Sequence, residues 1–134
     1  MRAHVTDAVR GLAGAGVLLS AVVHLDLYAA GYGTITTIGP LFLLNAVAGL
    51  VLGVLVVSWA SWIPAVLAAG FGAATVAAYW FSVVHGLFGV REVTGGWAVI
   101  MAEVAEYVAI GCGLGAAVLL RNRRAAIGRP EPPR

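Results

Sequence analysis

Long apolar segments alternate with short polar breaks along the chain. Four of these segments are long enough for a helix that crosses a bilayer, which needs roughly 20 mostly apolar residues. They cover residues 9–30, 38–59, 62–88 and 97–120. The breaks between them contain Gly, Ser, Thr or charged residues, as connecting loops do. The pattern predicts an all-α integral membrane protein, an antiparallel bundle of four transmembrane helices in a lipid bilayer.

Composition supports this fold class and excludes two others. Of the 134 residues, 61% are hydrophobic and 10% are charged, whereas about 25% of the residues of a soluble domain are charged. So high an apolar content excludes an intrinsically disordered chain. The single cysteine, Cys112, excludes a disulfide scaffold.

The positive charges lie mainly at the two ends of the chain. All eight basic residues are arginines, of which two, Arg2 and Arg10, lie before or at the start of the first predicted span and five follow the last. Positively charged segments next to membrane spans stay in the cytoplasm. We therefore expect both termini on the cytoplasmic side of a bacterial plasma membrane. The net charge of +2 then reflects membrane topology, and no nucleic-acid partner is expected.

The predicted boundaries divide the chain into two parts. Residues 1–120 are expected to form the four-helix transmembrane domain. Residues 121–134 are polar and rich in Arg and Pro, and we expect them to be a disordered basic cytoplasmic tail. The first segment also has the layout of a secretory signal peptide, with arginines before a short apolar stretch. We expect this segment to be retained as the first span.

Small residues recur four positions apart within the spans, a spacing that lets helix backbones approach closely in lipid. The pairs are Gly16/Ser20, Gly49/Gly53, Ala73/Ala77 and Gly111/Gly115. They predict a closely packed bundle. A homo-oligomer or a larger membrane complex would use the same small-residue faces.

Ionisable side chains lie within the predicted spans, although a charged group costs about 2.5–3.5 kcal/mol at the bilayer centre. These side chains belong to His24, Asp26, His85, Glu103 and Glu106. A helix rises about 1.5 Å per residue, which places the two histidines and the two glutamates at similar depths in the outer half of the bilayer. Asn45 reaches the same depth in the second span. The spacing predicts one polar layer to which every helix contributes.

The chemistry of this layer predicts a bound cation. Apart from Arg10, at the start of the first span and far from this layer, the spans contain no Lys or Arg. The carboxylates must therefore be protonated, share protons with His or hold a cation. Imidazole and carboxylate groups from different helices are suitable ligands for a divalent transition metal ion. We therefore predict a metal cofactor. Its candidate ligands are His24, His85, Glu103, Glu106 and, as a further candidate, Asp26.

Three more polar residues are expected to orient these ligands. Tyr28 lies one helical turn after His24, and Tyr107 lies one turn after Glu103. Asn45 comes from the second helix at the same depth. Asp26 lies two positions from His24, which places it on the other side of a regular helix.

Several functions are compatible with this layer. A membrane oxidoreductase or a metal-handling protein would use the metal ion directly. Haem ligated by His24 and His85 is an alternative that leaves the carboxylates without a role. Glu103 and Glu106 could instead exchange protons or cations in a transporter or channel subunit, which with four helices would require an oligomer.

Two further alternatives remain open. One is a structural or assembly subunit without its own chemistry, in which the acids only set helix packing. The other is a pocket for an organic cation, since aromatic rings attract cations. The candidate rings for that pocket are Tyr28, Tyr32, Tyr79, Trp80 and Trp97.

Part of the sequence resembles a known type of protein. The matching segments are His24–Tyr28, Gly31–Tyr32 and Ile38–Asn45. They resemble uncharacterised small four-span membrane proteins of actinobacterial type, over the first two helices and their loop. The resemblance implies a four-span fold in a bacterial plasma membrane, and it implies no activity, cofactor or site residue. In size and topology the chain is also similar to the DoxX-like four-helix membrane proteins.

Overall fold

The computed structural model describes residues 2–127 and contains four long helices joined by short loops. Helix α1 spans Arg2–Ala29, α2 spans Ile38–Ser58, α3 spans Trp62–His85 and α4 spans Trp97–Ile127. A short 3-10 helix, Tyr32–Thr34, lies in the first loop. All four long helices have the length and apolar composition needed to cross a membrane. The predicted all-α class with four membrane-length helices is therefore confirmed.

Three helix ends differ from the predicted spans by more than one residue. Helix α1 begins at Arg2, because the polar residues before position 9 continue the helix. Helix α3 ends at His85 and does not reach residue 88, since Gly86 has a φ of 80°, a conformation that glycine adopts without strain. Helix α4 continues to Ile127. Residues 121–127 of the tail predicted to be disordered are thus helical, and residues 128–134 lie outside the described part of the chain.

The corner between α2 and α3 is tight because a serine caps the second helix. The side chain of Ser61 is buried and accepts a hydrogen bond from the backbone N–H of Ile63 over 3.4 Å. This bond satisfies one of the amide groups that a helix start leaves without an internal partner. Pro64 lies in the first turn of α3, where a missing N–H costs little. The corner turns α3 back along α2.

The four helices form a bundle with three closely packed sides. Helix α1 packs along both α2 and α4, and α3 packs along α4. The core between them consists of small or β-branched side chains, including the fully buried Ala13, Val17, Ala68 and Ala109. Helices α2 and α3 make few contacts with each other. We call this loosely packed side of the bundle the α2–α3 side.

Glycines set the distance between α4 and its neighbours. A Cβ atom added at any of three positions would lie 2.6 or 2.7 Å from a backbone oxygen of the adjacent helix. The three positions are Gly16 in α1, Gly72 in α3 and Gly113 in α4. Side-chain carbons do not approach backbone oxygens so closely, so helix contact at these points requires glycine.

The predicted pairs of small residues are confirmed in α1 and α2. Those buried against a neighbouring helix are Gly16/Ser20 and Gly49/Gly53. In α3 and α4 three of the predicted residues are exposed on the single bundle: Ala73, Ala77 and Gly111. Spacing identifies a small-residue face but not the direction in which the helix turns it.

The outside of the bundle is apolar. Large side chains that are more than half exposed occur on each of the first three helices, for example Val22, Leu44 and Val84. In water such a surface would be unfavourable, whereas lipid chains solvate it well. The exposed surface and the helix lengths together support a multi-pass membrane protein.

Candidate ligand-binding cavity

A cavity of about 110 Å³ lies at the end of the bundle away from both chain termini, which we call the distal end. All four helices contribute to its lining, and so do the first loop and the loop between α3 and α4. Helices α1 and α4 contribute His24, Glu103 and Glu106. Helices α2 and α3 contribute three apolar residues, Ile38, Phe42 and Ala78, and three residues with a hydroxyl group, Thr75, Tyr79 and Ser82. The cavity therefore combines apolar walls with a small set of convergent polar groups, as ligand sites commonly do.

A buried hydrogen-bonded group joins α1 to α4 beside the cavity. Ser20 Oγ donates a hydrogen bond to Glu106 Oε1 over 3.1 Å. Ser20 is fully buried and Glu106 is 2% exposed. His24 Nδ1 lies 2.9 Å from the backbone oxygen of Ser20 and 3.4 Å from Ser20 Oγ. One serine thus holds both an imidazole and a carboxylate in place.

The hydrogen bond of His24 determines which ring nitrogen holds a proton. A backbone carbonyl only accepts, so Nδ1 must donate to Ser20 O. The other nitrogen, Nε2, makes no hydrogen bond within residues 2–127. In the neutral ring its lone pair is therefore free for a ligand. Phe42 contacts the same ring edge-on, with a centroid distance of 5.2 Å, and restricts its rotation.

Two glutamates of α4 face the cavity one helical turn apart. Glu103 and Glu106 are three positions apart and therefore share a helix face. Glu106 Oε2 makes no hydrogen bond to any residue in the described part of the chain. Neither carboxylate forms an ion pair with a residue in that part of the chain. The ion pair found there joins Arg10 to Asp7, near the start of α1. Carboxylate oxygens are thus left for a bound group.

The loop between α3 and α4, residues 86–96, forms the distal wall of the cavity, and we call it the distal loop. Tyr32 OH donates to Glu92 Oε2 over 3.0 Å and so joins the first loop to the distal loop. Ser82 Oγ donates to Val90 O over 3.1 Å and accepts from Glu92 N over 3.3 Å. Tyr32 also stacks on Phe42 at 4.8 Å. These contacts hold both loops across the distal end.

The Tyr32 hydroxyl is suited to remain a hydrogen-bond donor. Burial raises its pKa, and the hydrogen bond and negative charge of Glu92 raise it further. The Tyr32 phenol therefore stays protonated to a higher pH than an ordinary tyrosine does. The link between the two loops is expected to persist into alkaline solution.

The structure brings together some of the predicted ligands and not others. His24, Glu103 and Glu106 line the cavity, as the depth argument predicted. His85 is exposed at the end of α3 and is absent from the lining. Asp26 is exposed on α1 and also lies outside the lining, as its two-residue offset from His24 indicated.

The residues predicted to orient the ligands also separate. Asn45 Oδ1 lies 3.4 Å from the hydroxyl of Thr75, which lines the cavity, and Asn45 Nδ2 is buried without a partner among residues 2–127. Tyr28 and Tyr107 lie outside the lining, and Tyr107 is 52% exposed. Of the aromatic residues considered for an organic cation, those that line the cavity are Tyr32 and Tyr79.

The predicted metal site is not assembled in this geometry. Among residues 2–127, no three side chains of His, Cys, Asp and Glu are placed to hold one metal ion. His85 lies outside the lining, so this cavity does not bring together the two candidate haem ligands. The metal cofactor and haem both stay predictions.

Sequence reasoning missed three polar residues at or beside the cavity. Ser20 lies four positions before His24, so the helical period could have placed it on the same face. Thr75 lies four positions before Tyr79, so the helical period could likewise have placed these two residues on one face of α3. Glu92 reaches the cavity only because the distal loop folds back, and no helical spacing indicates that.

Comparison with known proteins gave no match, since no protein-family model, curated protein or solved structure matched the chain.

Proposed function

We propose that the chain is a multi-pass membrane protein whose distal cavity binds a small cation. One observation supports this most directly. Three carboxylates, those of Glu92, Glu103 and Glu106, line one cavity, and among the described residues no Lys or Arg side chain lines it. A buried carboxylate is costly unless a positive charge or enough hydrogen bonds compensate it. A bound cation would supply that compensation.

The end of the bundle that holds the cavity is proposed to face the outside of a bacterial plasma membrane. The arginines next to the spans lie almost all at the chain termini, the end of the bundle opposite the cavity. Positive residues next to spans favour the cytoplasmic side. The distal end would then face outward, and the helical residues 121–127 would extend into the cytoplasm.

The side chains provide complementary contacts for an ammonium group. Glu106 Oε2 and the Glu103 carboxylate would accept its N–H groups, and His24 Nε2 would accept a third hydrogen bond. The Tyr32 and Phe42 rings, stacked on each other beside these groups, would add cation–π attraction. Three acceptors in different directions match the three donors of a primary ammonium.

Substituting both α4 glutamates is expected to weaken cation binding strongly. In the double variant Glu103→Gln/Glu106→Gln, the affinity for methylammonium should fall by about tenfold or more, because loss of a charged hydrogen-bond partner costs at least about 1.5 kcal/mol. Isothermal titration of the protein in phosphatidylcholine nanodiscs measures this. The matched control is Asp26→Asn, which removes an exposed carboxylate outside the lining. Equal affinity in wild type and the double variant would contradict the proposal.

A transition metal ion is the second candidate ligand. The specific observation in its favour is that His24 donates Nδ1–H to the backbone oxygen of Ser20, because metal-ligating histidines usually donate their other ring nitrogen to a carbonyl or carboxylate. Glu103 and Glu106 would complete the ligand set after rotamer changes. A metal-handling or oxidoreductase role would then follow from the metal ion.

Metal analysis separates the two ligands. If a metal ion is the ligand, the purified protein should contain it stoichiometrically, and His24→Ala should remove it while His85→Ala, outside the lining, should not. Equal loss in both variants would contradict binding at this cavity. A Soret band in the absorption spectrum would indicate haem, and pH-dependent cation flux into proteoliposomes would indicate transport.

A further inference from the structure

We infer that the natural ligand of the cavity is a lipophilic amine, an ammonium group with an apolar chain, which reaches the cavity from the bilayer through the α2–α3 side. This inference rests on the proposed cation site and adds the ligand's apolar part and its route. Two independent features of the structure support it. The first loop and the distal loop cover the end of the cavity, and the α2–α3 side is loosely packed.

The distal end is closed by several hydrogen bonds. Tyr32 links the first loop to the distal loop through Glu92, at 3.0 Å. Ser82 binds the backbone of the distal loop at both Val90 and Glu92. Leu87 of the same loop adds an apolar side chain to the lining. A ligand from the aqueous side would have to break these contacts.

The α2–α3 side offers a more open route. These two helices make few contacts with each other. Among residues 2–127, one hydrogen bond between side chains joins them, that of Thr75 with Asn45 over 3.4 Å. Ala78 both lines the cavity and is exposed on the bundle surface. We therefore place the route at Ala78, where a small side chain leaves space beside the cavity.

The distribution of chemistry across the cavity matches an amphiphile. The groups that would hold an ammonium head, His24, Glu103 and Glu106, come from α1 and α4. The lining residues of α2 and α3 include no carboxylate and no imidazole; they are the apolar Ile38, Phe42 and Ala78 and the hydroxyl-bearing Thr75, Tyr79 and Ser82. A ligand with its head between α1 and α4 would extend its chain past Phe42 into the lipid. Burial of an alkyl chain along this path is favourable in proportion to the apolar area covered.

Blocking the α2–α3 side tests the inference. Octylammonium should bind wild-type protein in phosphatidylcholine nanodiscs at least about tenfold more tightly than methylammonium, after correction for its partition into empty nanodiscs. Ala78→Trp should weaken octylammonium binding by about tenfold or more and leave methylammonium binding nearly unchanged. The matched control is Ala77→Trp, which places the same ring on an exposed position of α3 outside the lining. Equal octylammonium affinity in the two variants would overturn the inference.

A smaller substitution tests the route even if tryptophan disturbs the fold. In a Cys112→Ala background, octylammonium should slow the alkylation of Ala78→Cys by N-ethylmaleimide but not that of Ala77→Cys. Equal protection at both positions would overturn the route. If both amines bind and both depend on Glu103 and Glu106, but neither Ala78 variant distinguishes them, the cation site holds and the lipophilic ligand fails. If neither amine binds wild-type protein, the cation site itself fails.

Discussion

Gly72→Ala is expected to destabilise the protein by about 1–3 kcal/mol, the usual cost of overpacking a close contact. The new Cβ would lie 2.7 Å from the backbone oxygen of Glu106, so α3 and α4 would have to move apart to relieve the clash. Because the contact is made at Glu106 itself, separation of α3 from α4 should also widen the cavity. Unfolding in a denaturing detergent measures the loss of stability, and titration with methylammonium measures the change at the site.

The control for this substitution lies two residues earlier in the same helix. Gly70 is exposed, and a Cβ there meets no atom within 4 Å. Gly70→Ala should be neutral or slightly stabilising, because alanine favours a helix over glycine by about 1 kcal/mol. In α4, Gly113 and Gly111 form an equivalent pair. If the close and open positions tolerate alanine equally, glycine does not set the helix distance.

The fold was predictable from the sequence because the bilayer sets a strong and local requirement. Each apolar segment has to be long enough to cross the hydrocarbon layer, and length can be counted along the chain. The helix ends were less predictable. The end of α3 depends on the positive φ of Gly86, and α1 and α4 extend beyond their apolar parts into polar residues, where hydropathy gives no signal.

Part of the site was also predictable, because depth in a helix follows from residue number. The rise per residue placed His24, Glu103 and Glu106 at one level, and all three line the cavity. Rotation about the helix axis is harder to infer. His85 has a suitable depth but lies at the end of α3, where the helix turns it to the surface. Glu92 belongs to a loop, and its position depends on contacts with Ser82 that no periodicity encodes.

Ser20→Ala is expected to cost about 1–3 kcal/mol, because Glu106 Oε1 would lose its hydrogen-bond donor in a buried position. The change removes one oxygen and keeps the close contact of α1 with α4. Ser58→Ala is the matched control, since that exposed hydroxyl binds only the backbone of its own helix at Val54. Unfolding measurements should show a large loss for the first variant and little for the second.

Glu106→Leu then separates a structural role of the carboxylate from a binding role. A buried charged group often reduces stability relative to an apolar side chain of similar size, by about 1–4 kcal/mol. We therefore expect Glu106→Leu to be as stable as wild type or more stable, to lose methylammonium binding, and to cancel the cost of Ser20→Ala in the double variant. If the acid only set helix packing, Glu106→Leu would weaken the fold and leave methylammonium binding unchanged. A carboxylate that reduces stability but is needed for binding has its function in the ligand that it holds.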